Sequence, residues 1–235
     1  MIVDEIMTRK VITIKSGDTL YNAQDLMVKN SIRHLPVVQK KQLEGIITES
    51  DIREAFVQNN NGSSKVMILD PKKMKVADFM TRDPQTVQPG TNIEDAALLI
   101  YQNKIGSLPV VHGEKLVGII SILDMLGLFI DLMGIIHSSS RVDVIMGKDP
   151  KNFEAVSKII HDHGLNIISV GMSSYAKNKK KQVYFFRLDL CETASLVKKL
   201  EKAGFKVLNA IDWLLAAGAT SKNSSNQNQA FARQQ

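Results

Sequence analysis

One cysteine, Cys191, is the only thiol in the 235 residues. That excludes a disulfide framework within the chain and any multi-cysteine metal site, and it fits a reducing, cytoplasmic setting. Long apolar runs are equally scarce. The richest stretch, Leu116 to Ile136, is interrupted by Asp124 and Asp131. A membrane span needs about 18 or more nearly uncharged apolar residues, so no membrane partner is expected. The first ten residues, MIVDEIMTRK, carry acids early and have no apolar core, so they do not read as a signal peptide. Catalytic signatures are also missing. There is no H-E-x-x-H and no G-x-S-x-G, and GEKLVG lacks the lysine-hydroxyl end of a phosphate-binding loop. His161 and His163 are two apart on a helical stretch and so face different directions. Cys191 stands at an expected helix start, a position that lowers a thiol pKa, but no histidine is near it in sequence. No catalytic residue, metal site or catalytic cofactor is expected.

Positive charge is in excess, with a net +6 and a pI of about 9.3. Such a balance raises the question of nucleic acid. Part of the excess, however, lies in Lys177 to Lys181, KNKKK, which reads as a solvated hairpin tip with no interleaved aromatic residues. Nucleic-acid binding is not expected from basic balance alone.

The dominant feature is an internal repeat. An offset of 73 positions aligns Val3–Phe56 with Val76–Phe129 without a gap. Met7-Thr8-Arg9 falls on Met80-Thr81-Arg82, and Leu35-Pro36-Val37-Val38 on Leu108-Pro109-Val110-Val111. Within each copy a short extended piece (Val11–Ile14) precedes a helix marked by Leu20, Ala23, Leu26 and Met27. Two apolar strands then flank a polar turn, and a second helix follows. A unit this small cannot cover both faces of its sheet, so the copies should pack together with pseudo-twofold clefts between them.

Each copy ends in a strand running into a helix, LEGIITESD at Leu43–Asp51 and LVGIISILD at Leu116–Asp124. At the junction a hydroxyl is followed three residues later by an aspartate: Thr48 and Asp51, then Ser121 and Asp124. A helix N-terminus favours phosphate, the hydroxyl can add a donor, and the carboxylate can accept the two hydroxyls of a ribose. The same pattern is a capping box, which only satisfies backbone donors. Its recurrence at the same place in both copies favours the nucleotide reading.

On IRHLPVV with GIITESD, and IGSLPVV with GIISILD, the copies resemble CBS domains, and the tandem resembles a CBS pair or Bateman module. The resemblance implies a cleft for an adenosyl ligand such as AMP, ADP, ATP or S-adenosylmethionine. Thr48, Asp51, Ser121 and Asp124 would hold phosphate and ribose. Val11, Ile12 and Thr13, with Gln85, Thr86 and Val87, would lie against adenine, and Arg33 and His34 would face phosphates. The second copy has Gly106 and Ser107 where the first has Arg33 and His34, so phosphate neutralisation should be unequal.

After a boundary at His137–Ser140, alternating Val142, Val144 and Met146 begin a second kind of domain. A helix with Phe153, Val156, Ile159 and Ile160 follows. Strands at Ile167–Met172 and Val183–Leu190, a helix at Ala194–Ala203 and a strand at Phe205–Ile211 complete a ferredoxin-like βαββαβ order. With HGLNIISVG after its first helix, it resembles an ACT domain. Amino-acid binding at the turn Lys148–Phe153 is weakened by Lys151 and Asn152, which stand where the family usually has a glycine.

The expected fold class is therefore α/β (α+β): two CBS repeats forming a Bateman module (1–60 and 74–136), then a ferredoxin-like ACT domain (141–215) and a disordered polar tail (220–235). The order CBS–CBS–ACT resembles regulatory proteins of acetoin utilisation. That implies a non-enzymatic adenine-nucleotide sensor in acetoin or butanediol catabolism, with a protein target in acetyl-CoA metabolism. Leu123, Met125, Leu126, Leu128 and Phe129 make the second copy's last helix apolar on more than one face, so a homodimer or larger self-assembly is expected. An amino-acid sensor working through the ACT turn, and a scaffold without a ligand, remain open alternatives.

Overall fold

The computed structural model describes residues 1–58, 70–135 and 139–212. They form two compact units divided between Gly127 and Leu128. Residues 59–69 between the repeats, His137 and Ser138 at the expected boundary, residues 213–215 and the expected tail lie outside the described residues.

The first unit contains the first repeat and the second as far as Gly127, within its last helix. After a single helical turn, α1 (Val3–Ile6), come α2 (Leu20–Asn30), β1 (His34–Gln39), β2 (Gln42–Thr48) and α3 (Glu49–Gln58). The second copy follows with a 3-10 turn at Val76–Asp78, β3 (Thr81–Arg82), α4 (Ile93–Asn103), β4 (Ser107–His112), β5 (Lys115–Ser121) and α5 (Ile122–Leu132). Sequence chemistry sets the ends of α2. The Thr19 side chain accepts the Asn22 N–H at 3.2 Å, an N-cap that satisfies a donor left over at the helix start. Ser31 closes the helix in the left-handed region, as Lys104 closes α4. Buried Leu20, Ala23 and Met27 turn one face of α2 onto Leu35, Val37 and Ile47 of its own strands.

The strand order is β1-β2-β5-β4. The hairpins meet where Gln42 stands opposite Lys115. Further along, β2 and β5 accept other partners. Gly45 and Ile46 of β2 pair with Arg82 and Thr81 of the second copy, while Ile119 of β5 pairs with Thr8 of the first. The segments leading into these pairs are exchanged as well. Val3 and Asp4 donate to the carbonyls of Thr91 and Pro89, and Val76 and Ala77 donate to those of Asp18 and Ser16. Met74, Val76 and Met80 accordingly complete the first copy's core. The repeat was legible in the sequence, but this exchange was not. By packing, each copy's leading segment belongs to the other copy.

Glycine permits the exchange. A Cβ on Gly45 would stand 2.6 Å from the Thr81 carbonyl oxygen and 3.0 Å from the Met80 sulfur. A Cβ on Gly118 would run into the flexible Met7 side chain and stand 3.3 Å from the Thr8 carbonyl oxygen. The glycine of each G-x-x-hydroxyl-x-x-Asp motif is therefore a close-approach residue, whatever its neighbours bind.

The second unit has β6 (Ser140–Gly147), α6 (Pro150–His161), β7 (Ile167–Ser174), β8 (Lys181–Leu188), α7 (Thr193–Lys202) and β9 (Lys206–Ile211). The sheet order β7-β8-β6-β9, antiparallel throughout, is the ferredoxin-like arrangement. Val142, Val144, Met146, Phe186 and Leu188 on the sheet pack against Val156, Ile160, Leu196 and Leu200 on the helices. Strand β8 ends at Leu188, two residues earlier than expected. There the Asp189 carboxylate turns to accept the backbone and side-chain N–H groups of Asn166. The lysine-rich segment forms the turn between β7 and β8, as expected. Among the described residues no helix is long and apolar enough to cross a membrane.

Because the Gly45 approach is to backbone, Gly45→Ala should lower unfolding free energy by about 1–3 kcal/mol, the usual overpacking cost. Gly90→Ala, where a Cβ meets nothing within 4 Å, should be neutral or slightly stabilising. Urea denaturation of the two variants checks the contrast.

Candidate functional site

The β1–β2 hairpin sets His34 opposite Thr48, and the β4–β5 hairpin sets Ser107 opposite Ser121. The first backbone N–H of each helix is then taken by the hairpin. Glu49 N–H donates to the Arg33 carbonyl at 3.0 Å, and Ile122 N–H to that of Gly106 at 3.1 Å. Strand pairing therefore fixes the residues before each LPVV run at the start of the following helix.

Both hydroxyl–aspartate pairs are closed capping boxes. Asp51 Oδ2 accepts the Thr48 N–H at 2.8 Å and the Thr48 hydroxyl at 2.9 Å, and Thr48 Oγ1 accepts the Asp51 N–H at 3.2 Å. In the second copy the corresponding distances are 2.7, 2.7 and 3.3 Å. All the carboxylate bonds of the two caps use Oδ2, so neither cap engages Oδ1. Capping and ligand binding are therefore compatible uses of one carboxylate.

A single cleft of about 1070 Å³ runs past both caps. Of the residues picked from sequence, Thr48, Asp51, Ser121, Asp124, Arg33, His34, Val11, Ile12 and Gln85 line it. Thr13, Thr86 and Val87 are not in its lining. Val87 is buried in a bridge to Val110, and the residue after Thr13, Ile14, is paired with Val37. The extended pieces reach the cleft because each is tied at one end to the opposite copy and at the other to its own. Thr8 exchanges hydrogen bonds with Ile119 and Ile14 joins Val37, so Lys10–Ile12 cross between them.

Several lining residues went unnoticed in the sequence. Lys10, Arg53 and Lys104 join Arg33 as cations, and Glu49 and Asp83 join Asp51 and Asp124 as carboxylates. The equivalent positions hold different residues: Lys10 matches Asp83, and Lys104 matches Ser31. A search for repeated residues could not have found them. The expected clefts are thus one continuous cavity whose cations and carboxylates are equal in number.

At Gly106, where the first copy has Arg33, the asymmetry goes with a steric constraint. The His34 ring lies on Gly106, and any side chain there would run into the imidazole. Burial is the main effect pushing the His34 pKa below its ordinary value. Neighbouring Arg33 pushes the same way, while Asp51 and Glu49 oppose. The Cys191 thiol is pushed up rather than down, first by burial, against a hydrogen bond with Ser140. This reverses the expectation from its place before α7. Among the described residues no group of three or more His, Cys, Asp or Glu could hold a metal ion.

The CBS domain model matches residues 3–58 and 76–131, both exchanged copies. The chain belongs to the CBS-domain family. A CBS domain-containing protein of Dictyostelium discoideum is 31% identical over 139 residues, 57% of this chain and 94% of that protein. Inosine-5'-monophosphate dehydrogenase of Methanocaldococcus jannaschii is 34% identical over 125 residues, 52% of this chain but only 22% of the enzyme. Among solved structures, a protein of Vibrio cholerae assigned to acetoin utilization (AcuB) is 30% identical and superposes at a TM-score of 0.51, covering 57% of this chain and 96% of its own. The tandem CBS arrangement is thus established, and the likeness to the dehydrogenase spans about a fifth of that enzyme.

A histidine held below its unfolded pKa leaves the folded state with fewer bound protons than the unfolded chain. Stability from this source is complete above the ordinary value of 6.5 and is lost as pH falls below it. Melting temperatures at pH 7.5 and 5.5 should therefore drop less in His34→Gln than in the parent protein.

Proposed function

We propose that the chain is a non-enzymatic regulatory sensor whose CBS pair binds an adenosyl ligand, with AMP the leading candidate. The observation that carries this reading is the single cleft gathering two helix starts, each with a hydroxyl and a carboxylate that has one oxygen outside the cap. In the proposed pose, the carboxylates of Asp51 and Asp124 accept ribose hydroxyls. A phosphate lies at a helix start within reach of Thr48 or Ser121 and of Arg33, and adenine rests on Val11, Ile12 or Gln85. Bringing a hydroxyl to phosphate means turning it away from its own aspartate, at a cost near that of losing a cap, about 1 kcal/mol. A charge-assisted bond to phosphate recovers more than that. The equal numbers of lining cations and carboxylates favour a ligand of modest charge over a triphosphate.

The likeness to AcuB of Vibrio cholerae supports a role in acetoin or butanediol catabolism and in control of acetyl-CoA synthesis, acting on a protein target there. The ferredoxin-like unit serves as an ACT-like module for assembly. Helix α5 exposes Leu123, Leu126, Phe129 and Leu132, an apolar surface that suits self-association into a homodimer.

Calorimetric titration tests the ligand. Asp51→Ala or Asp124→Ala should weaken AMP binding about ten- to a hundredfold, the worth of roughly 1.5–3 kcal/mol for a hydrogen bond to a charged group. Unchanged affinity in both variants would reduce these aspartates to caps. Stabilisation by an amino acid and by no nucleotide would overturn the reading in favour of an ACT-centred sensor. For assembly, light scattering at micromolar concentration should give at least twice the chain mass, and a monomer mass would refute the homodimer.

A further inference from the structure

The two copies carry matching helices but give them different outer faces. On α4 and α5 the exposed side chains include Leu98, Tyr101, Ile122, Leu123 and Leu126, with Tyr101 82% exposed. A groove of about 770 Å³ is lined by these helices, with Tyr101, Ile122 and Met125 among its walls and Gln102 and Lys104 as polar side chains. At the positions matching those five, 73 residues earlier, the first copy has Asp25, Val28, Glu49, Ser50 and Arg53. Polar groups on that face bond to one another: Lys29 pairs with Asp25 at 2.7 Å, and Arg53 donates to the Ser50 hydroxyl at 3.2 Å. Tyr21, one turn before Asp25, has the Lys72 ammonium over its ring. The first copy shows what this helix pair carries when it meets water, and the second departs from it toward apolar residues.

We infer that the α4–α5 face is where two copies of this chain meet, and that the second repeats alone make the contact, with the α2–α3 face left in water. Charge selects the occupant. The chain carries a net +6, so two copies repel at long range, and the centre of an interface is depleted of charged residues. The α4–α5 face meets that condition against itself, as a twofold contact requires. Set against the α2–α3 face of another copy, it would take the Asp25–Lys29 pair and Arg53 out of water with no new partner, a desolvation that apolar side chains cannot offset. The five exposed side chains offer on the order of 300–400 Å², near half of the about 800 Å² that each partner gives a standard interface. This inference rests on the homodimer read above and names the face that forms it.

The test is the dissociation constant for self-association, from sedimentation equilibrium on the full chain, with the melting temperature as the check of fold. Tyr101→Asp and Leu126→Arg should each weaken association by about thirtyfold or more, as loss of a central interface residue does. Val28→Asp, at the matching place in the first copy, should leave it unchanged. Leu98→Asp gives the second copy the residue that the first already holds there. It should weaken association as the other two do, and it stands in for either of them that fails to fold. Equal weakening by Tyr101→Asp and Val28→Asp would overturn the inference by placing both repeats in the contact. A dimer as tight in the second-copy variants as in the parent would overturn it too, because the contact would then lie on another face. A parent chain that stays monomeric would sink the homodimer reading itself, a result distinct from a dimer that ignores these substitutions.

Discussion

The two copies of the first unit are joined by a close backbone approach at Gly45 and a looser one at Gly118. Gly45 and Gly118 let the strand before each motif accept the leading segment of the opposite copy. Without that approach Thr8 could not reach Ile119, nor Thr81 reach Ile46. The exchanged segments occupy edges that the two hairpins would otherwise offer to each other beyond Gln42 and Lys115. The cleft follows from the same exchange, because Lys10–Ile12 and Asp83–Gln85 are the stretches that return from the opposite copy to their own. Folding and site formation thus depend on one set of contacts, and a nonpolar substitution at either glycine would disturb both.

The hydroxyl–aspartate caps leave one carboxylate oxygen of each pair outside the cap. A helix start must satisfy its backbone donors, and Thr48 with Asp51 does so using one carboxylate oxygen and one hydroxyl. The remaining oxygen keeps hydrogen-bonding capacity without adding an unpaired buried charge. Capping and binding are therefore not rival interpretations of the spacing. The cap holds the carboxylate in a fixed orientation, and a preset acceptor loses less freedom when a ligand arrives.

Much of this was legible in the sequence, for physical reasons. The repeat, its strands and helices, and the βαββαβ order all rest on apolar periodicity, which local burial enforces at residues such as Leu20, Ala23 and Met27 or Val142, Val144 and Met146. The caps were legible because they are local, closing within three residues. The exchange was not, because Thr8 and Thr81 belong to short polar segments whose partners lie far along the chain and leave no periodic trace. For the same reason Lys104 and Arg53 escaped notice in the cleft. They lie outside the motifs that the two copies share, and the reading started from those motifs and their immediate neighbours. Cys191 failed differently: its place near a helix start was visible, but the burial that raises its pKa was not.

The contact between His34 and Gly106 has a consequence for how such a chain can change over time. The two copies descend to matching backbones, yet they are no longer interchangeable parts. A chain assembled from two copies of the first repeat would put an arginine where Gly106 stands, against the imidazole of its twin, and that ring would have to move aside. Two copies of the second would close but leave a serine at each end and no imidazole. The two copies are therefore a complementary couple at this contact, and a larger residue at Gly106 would need a matching change at His34.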